Sequence, residues 1–250
     1  MQKMLLIFIT IICYPCAAEK VPVAAIDWCP QLCTLKDQPG YVNEILTLVF
    51  EDSPFQLEVE ILSWSRAIYQ VKKGEKIALL SPAKAEAPSL VYPDNEIGVQ
   101  RMCFFTRIEN SWQYVNPESL VGLSIGIGDD TSIAALNDYI ADKAYDFLPM
   151  HYDENFITKN LKMLDAGRID TFIFTQNTTQ YEIKRMGLDS RYKNSGCVSQ
   201  EKIYIAFSQA KKTNALVEKL KKYFDFKVTL LYENGEINKI LKKYNIKPWR

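Results

Sequence analysis

The sequence predicts an α/β protein in which parallel strands are covered by helices, and two stretches carry most of that prediction. Residues 161–174 read LKMLDAGRIDTFIF, an amphipathic helix that ends on a glycine and runs into a short apolar strand. Ile157, Leu161 and Leu164 share one helical face, and Gly167 stands where a left-handed cap is needed. Residues 169–174 are apolar on both faces apart from Asp170 and Thr171. A strand buried on both faces belongs to a parallel sheet flanked by helices. The second stretch is the opening of the chain, which reads β-α-β-α-β with short connections.

Taken in order, residues 21–26 form a short apolar strand. Val42, Ile45, Leu46 and Val49 mark a helix that starts beyond Pro39-Gly40. Phe55, Leu57, Val59 and Ile61 alternate as a strand does. Trp64, Ala67, Ile68 and Val71 follow at helical spacing and stop at Gly74, and residues 77–80 make another buried strand. Residues 81–98, rich in Pro, Ala and Ser, read as a loop with a short helix. Residues 101–108 form a strand containing Cys103. A second block then gives a strand at 121–127, a glycine turn, a helix at 131–143, a strand at 146–149 and the helix–glycine–strand unit above. A strand at 202–207 and helices at about 214–224 and 236–244 close the chain. Two such blocks followed by a late strand predict two lobes. The chain crosses between them twice, near Cys103 and near Ile205, and its terminal helices return to the first lobe. A cleft between lobes can close on a ligand by hinge motion.

The N-terminus reads as a secretory signal. A short basic start (Met1-Gln2-Lys3) precedes an apolar run over residues 4–13 that is short for a bilayer span. Pro15 and the small residues Ala17-Ala18 then suit cleavage after Ala18; an uncleaved membrane anchor is the alternative. Of 250 residues, 232 remain beyond residue 18, enough for two modest lobes. Thirty basic and thirty acidic residues balance, which leaves no electrostatic footprint for nucleic acid. Lys211-Lys212 and the lysines between 219 and 222 flank Leu216, Leu220 and Phe224 and form the solvated side of a helix. Four cysteines lie beyond the signal, and an even number in an oxidising compartment suggests disulfides. Cys29 and Cys33 can bridge locally around Pro30. Cys103 and Cys197 can bridge at long range, or remain two buried thiols. Metal binding is not expected: His151 is the single histidine, too few ligands for a zinc site.

The ordered segments DWCP, PGYVNEIL, SWSRAIYQVKKGE, CFFTR, LDAGRIDTFI, IYIAFS and GEINKILKKYNIKPW resemble the bacterial extracellular solute-binding proteins of family 3, the periplasmic receptors of polar amino-acid ABC transporters and their relatives. The resemblance covers essentially the whole mature chain. It implies the type II periplasmic-binding fold, with a signal peptide at 1–18, lobe 1 at 19–103 plus 206–250 and lobe 2 at 104–205. Two departures concern the ligand. Where the family carries an arginine after the third strand, this chain reads SPAKAEAP, with Lys84 and Glu86 but no arginine. Where the family often carries an acid after its GRVD strand, this chain has Thr175. Both charge clamps for an α-amino acid are therefore missing.

Ligands in open parallel sheets bind at the carboxyl ends of strands. That rule selects Asp27 and Trp28 after the first strand, Trp64 after the second, Ser81 after the third, residues 128–131 including Thr131 in the second lobe, and Thr175 and Gln176 after the GRID strand. Lys84 can stand in for the missing arginine as a point charge. Arg66, in a WxRA segment, either faces the cleft or pairs with a surface acid. The two tryptophans either sandwich a flat ligand group or anchor the core. Asp130 reads as a helix N-cap and Asp170 as a residue that serves folding.

The expected function is a soluble, monomeric periplasmic receptor that captures a small polar ligand and presents its closed form to an inner-membrane ABC permease, with no catalysis, cofactor or nucleic acid. The alternatives are a periplasmic enzyme on the same scaffold, such as a cyclic-acid dehydratase using Asp27 or Lys84, and a ligand sensor.

Overall fold

The computed structural model describes residues 18–34, 38–129, 131, 133, 135–153 and 155–250. The expected signal segment, except for Ala18, and the expected cap Asp130 lie outside the described residues. Among those described, no helix is long and apolar enough to cross a membrane.

Eight strands form one sheet in the order β2-β1-β3-β8-β4-β7-β5-β6. In the first half, β1 (Glu19–Ala25) lies parallel between β2 (Phe55–Ile61) and β3 (Ala78–Ala83). In the second, β5 (Ser124–Gly128) lies parallel between β6 (Asp146–Met150) and β7 (Thr171–Thr175). Two long strands join the halves. β4 (Gly98–Arg107) is antiparallel to β7, and β8 (Tyr192–Phe207) is antiparallel to both β4 and β3. The inner parallel strands β3, β5 and β7 are buried almost throughout, as strands covered by helices on both faces are, whereas the edge strands β2 and β6 are largely exposed or half-buried.

The helices follow the expected periodicity. α1 (Tyr41–Phe50) buries Val42, Ile45, Leu46 and Val49, and α2 (Trp64–Lys73) ends on Gly74 at φ 71°, the left-handed cap that glycine reaches without steric cost. α4 (Phe156–Asp165) stops before Gly167 at φ 62°. α6 (Asn214–Glu233) and α7 (Glu236–Lys243) return to the first half: Val217, Leu220, Phe224, Val228, Ile237 and Leu241 share a core with Ile45, Leu80 and Ile205. Truncating a ring buried as Phe224 is typically costs about 3–5 kcal/mol. α2 covers the other face of the first half, packing on Ala24, Leu79 and Ala206. In the second half one core surrounds Phe156, Leu161 and Phe172, and a second surrounds Phe104, Ile125 and Leu136.

Several expectations need correction. No helix forms in residues 84–97, which are turns and bends. The helix expected at 131–143 is reduced to α3 (Asn137–Ala141), which has no buried residue; before it, the Ile133 N–H donates to the Asn137 side chain at 2.9 Å. Short polar side chains compete with the helix ladder in this way. α6 runs well past Phe224, because Val228 continues its apolar face. The strand expected at 202–207 is the end of the sixteen-residue β8. α5 (Gln176–Arg185) was not anticipated: its sequence QNTTQYEIKR is mostly polar, and Ile183 is its one buried aliphatic residue.

Both expected disulfides are present, Cys29–Cys33 and Cys103–Cys197, with Cα–Cα distances of 4.8 and 3.9 Å. The second ties β4 to β8 at an irregularity in their pairing. The Cys29–Pro30 peptide bond is cis. Asp170 serves folding as expected, its carboxylate accepting the Ser124 N–H at 2.9 Å.

Candidate functional site

The carboxyl ends of β1 and β7 face each other across the two halves. Trp28, three residues beyond β1, is buried, and its indole N–H points at the Thr175 hydroxyl at 3.4 Å. Thr175 is the last residue of β7 and the N-cap of α5, in extended conformation. Its own carbonyl accepts the Thr179 hydroxyl at 2.9 Å. The loop that carries Trp28 is fixed from three sides. The Cys29–Cys33 bridge closes it, backbone hydrogen bonds join Trp28 and Leu32 at 2.7 and 2.9 Å, and the Asp27 carboxylate accepts the Thr34 N–H and hydroxyl at 3.1 and 2.8 Å. Asp27 therefore organises the loop.

Ser81 is the least ordinary residue at the strand ends. It is fully buried, its backbone has φ 65°, and its hydroxyl has no hydrogen-bond partner among the described residues. A left-handed conformation costs a non-glycine residue roughly 1–2 kcal/mol, and an unsatisfied buried hydroxyl costs about 1–3 kcal/mol. The pairing of β3 with β8 shifts register between Leu80 and Ala83, so the strain falls where the ladder is already broken. Such strain persists where surrounding packing imposes it, and it concentrates at ligand clamps.

Lys84 is exposed, with its ammonium 4.9 Å from the Tyr204 ring centroid and 5.8 Å from that of Tyr92. Beside it lies a second polar group. The Glu86 carboxylate accepts the Ala83 N–H at 2.7 Å. Burial pushes this carboxyl up to about 7, Ala83 and Gln100 pull it down by hydrogen bonding, and Glu201 adds a smaller upward push. The available signal was a lone acid inside an Ala/Pro-rich segment (AKAEAPSL), where little else could solvate it.

The other expected residues are dispersed. Trp64 opens α2 half-buried against the Ala24 and Leu79 core. Arg66 is exposed and contributes to lowering the Glu60 carboxyl, whose largest partner is Lys76. Thr131 donates its N–H to the Gly128 carbonyl at 3.0 Å, and its hydroxyl would sit 2.7 Å from any Cβ placed on Gly128. Gln176 lies next to the long-range disulfide, its Oε1 3.9 Å from Cys103 Sγ. Trp28, Thr175 and the loop around Asp27 are thus brought together, whereas Trp64 packs into the core under α2 and Arg66 is exposed on that helix. No group of three or more metal-ligating side chains occurs among the described residues.

No protein-family model matches the sequence, and no curated protein sequence matches it. Solved structures do match over nearly the full length. A chain from work on glutathione import via GshT and the cystine ABC importer TcyBC of Streptococcus mutans is 18% identical, with a TM-score of 0.73 over 91% of this chain and 95% of that one. A histidine kinase sensor domain with similarity to periplasmic binding proteins is 17% identical, with a TM-score of 0.71 over 93% and 99%. An ABC uptake transporter substrate-binding protein from Streptococcus pneumoniae with bound histidine is 15% identical, with a TM-score of 0.68 over 90% and 92%. The strand order and these likenesses together identify the fold as the type II periplasmic-binding fold, two α/β units joined through β4 and β8.

Proposed function

We propose that this protein is an exported solute-binding receptor that closes its two halves on a small polar ligand for an ABC-type importer. In this reading residues 1–18 are a cleaved signal, and residues 19–103 plus 206–250 move as one lobe against 104–205. The contact that carries the reading is Trp28 to Thr175, because it joins the carboxyl ends of strands from opposite halves. Ser81 supplies an unused hydroxyl in a strained backbone. Asp27, Lys84, Thr131 and Gln176 would complete the polar lining. Ligand binding shifts an open–closed equilibrium only by its differential affinity for the closed state, so no covalent chemistry is required.

The ligand is proposed to be other than an ordinary α-amino acid. Thr175 is neutral and committed to Trp28. On the other side the residues present are Lys84, spread over two tyrosine rings, and the acid Glu86. Burying an amino acid's two charges without partners costs several kcal/mol. A metabolite panel read by thermal shift and confirmed by calorimetry tests the reading. A stabilising ligand whose binding weakens in Trp28→Ala and Ser81→Ala supports it. Submicromolar binding of glutamine, histidine or arginine would overturn the ligand class, and a complete panel without any stabilising compound counts against a receptor. The likeness to a kinase sensor domain favours a second reading, in which the closed form signals to a membrane partner.

A further inference from the structure

We propose that the groove between α5 and the end of α7 is a second ligand site, specific for a small organic anion that carries a ring. The cavity there measures about 630 Å³, within the range of small-molecule sites. Pro30 of the Trp28 loop and Asn177 of α5 line it, but Trp28, Ser81 and Thr175 do not, so it adjoins the strand-end cleft without sharing those residues. Both halves of the molecule build it: Asn177, Gln180 and Tyr181 from α5 on one side, and Tyr244 and Ile246 from the chain end on the other.

The charge in this groove is uneven. Four cationic residues line it, Lys184, Arg185, Lys193 and Lys243, against a single carboxylate, Asp189. Two of the four are already neutralised, Arg185 by Glu182 at 2.6 Å and Lys243 by Glu44 at 2.5 Å. Among the described residues, neither Lys184 nor Lys193 forms an ion pair. Setting Asp189 against one of them still leaves positive charge inside a concavity, where partial exclusion of water strengthens attraction for an anion. The amides of Asn177 and Gln180 add hydrogen-bond donors. The rings of Tyr181 and Tyr244, with Ile246, offer an apolar wall. An anion alone would leave that wall unused, and a cation of the same shape would meet unpaired lysines.

Benzoate and benzylamine are the probes, since they share a ring and differ in charge. Calorimetry on the whole chain should show saturable benzoate binding and none for benzylamine. The double variant K184Q/K193Q changes two solvent-accessible side chains, and it should keep the wild-type melting profile while losing about tenfold or more in benzoate affinity, the equivalent of about 1.4 kcal/mol. In nuclear magnetic resonance spectra, tyrosine ring signals should shift with benzoate while the Trp28 indole N–H stays in place. That readout separates this site from the strand-end cleft, so the result stands or falls independently of the receptor reading. Absence of saturable benzoate binding, equal binding of benzylamine, unchanged affinity in K184Q/K193Q, or a Trp28 signal that titrates with benzoate would each overturn the proposal.

Discussion

In the first half of the molecule, the loop after β1 and the segment before β4 are held by bonds with direction; in the second half, the segment after β6 is held largely by packed rings. The loop after β1 has a disulfide and the Asp27–Thr34 hydrogen bonds. The segment before β4 is held by Glu96, only 1% exposed, whose carboxylate meets Arg250 at 2.5 Å, the Trp249 indole at 3.1 Å and Lys202 at 3.2 Å. The C-terminal tail is thereby strapped back over the first core. In the second half, the loop after β5 has an exposed contact between Asp129 and His151 at 3.3 Å, and the rings of Tyr152, Phe156 and Phe174 pack against one another at centroid distances of 5.0 to 5.7 Å. Directional pairs specify one geometry, whereas ring contacts of this kind tolerate several offsets at similar energy. The first half therefore offers a fixed wall to the cleft and the second an adaptable one.

The largest way to break this comparison is to cut the bond between the two joining strands, β4 and β8. Replacing Cys103 and Cys197 by serine releases a loop with a sequence separation of 94, for which chain entropy predicts a loss of about 4–5 kcal/mol. Replacing Cys29 and Cys33, separated by 4, should cost about 2 kcal/mol on the same basis. Urea denaturation of the two double variants checks the order; a larger loss from the short bridge would show that the fixed wall, not the cross-tie, dominates stability.

Glu96→Ala should destabilise by about 1–3 kcal/mol, because the Trp249 indole and the Arg250 guanidinium lose the acceptor that holds the tail. Burial alone would raise the Glu96 carboxyl, but Arg250 and Lys202, together with a backbone hydrogen bond, hold it down to about 2. A depressed carboxyl contributes stability that is present above its unfolded value and is lost as pH falls toward 2. Glu86 has the opposite sign. Its folded value is raised to about 7, chiefly by burial, so its contribution is complete below the ordinary carboxylate range and is lost as pH rises through 7. The span corresponds to at most about 3 kcal/mol. Thermal melts from pH 3 to 8 should show Glu86→Gln flattening the decline toward neutral pH and leaving the acid limb, which belongs to Glu96, in place. An unchanged neutral limb would remove Glu86 from the account. The smallest expected effect is Trp28→Phe, which deletes one 3.4 Å hydrogen bond between the halves and should cost about 1 kcal/mol or less.

Strands and helices with strong periodicity were legible in the sequence, because burial on both faces leaves an unmistakable apolar run, as in β7. The polar α5 was not, since its position is set by packing against β4 and β7 rather than by its own pattern. The length of β8 was also hidden: residues 192–201 are polar and Gly-containing, and they extend because β4 pairs with them. Of the candidate site, Trp28 and Thr175 were reachable from the strand-end rule, but their contact depends on how two distant chain segments meet. The sequence shows Glu86 only as an acid near the position where the family carries an arginine. Its burial comes from the turn that folds it back onto Ala83, which no local spacing announces.

The place of β8 between β3 and β4 has a consequence for how the chain comes into being. The β3 edge is closed by residues 203–207 and the β4 edge by residues 192–203. A ribosome that has made the first 190 residues has therefore produced every other strand of the sheet but left these two edges open. Unpaired edges are templates for association with other chains. The interval between synthesis of β3 and arrival of β8 is thus a period of exposure, and any factor that holds the chain unfolded during that interval protects the same two edges.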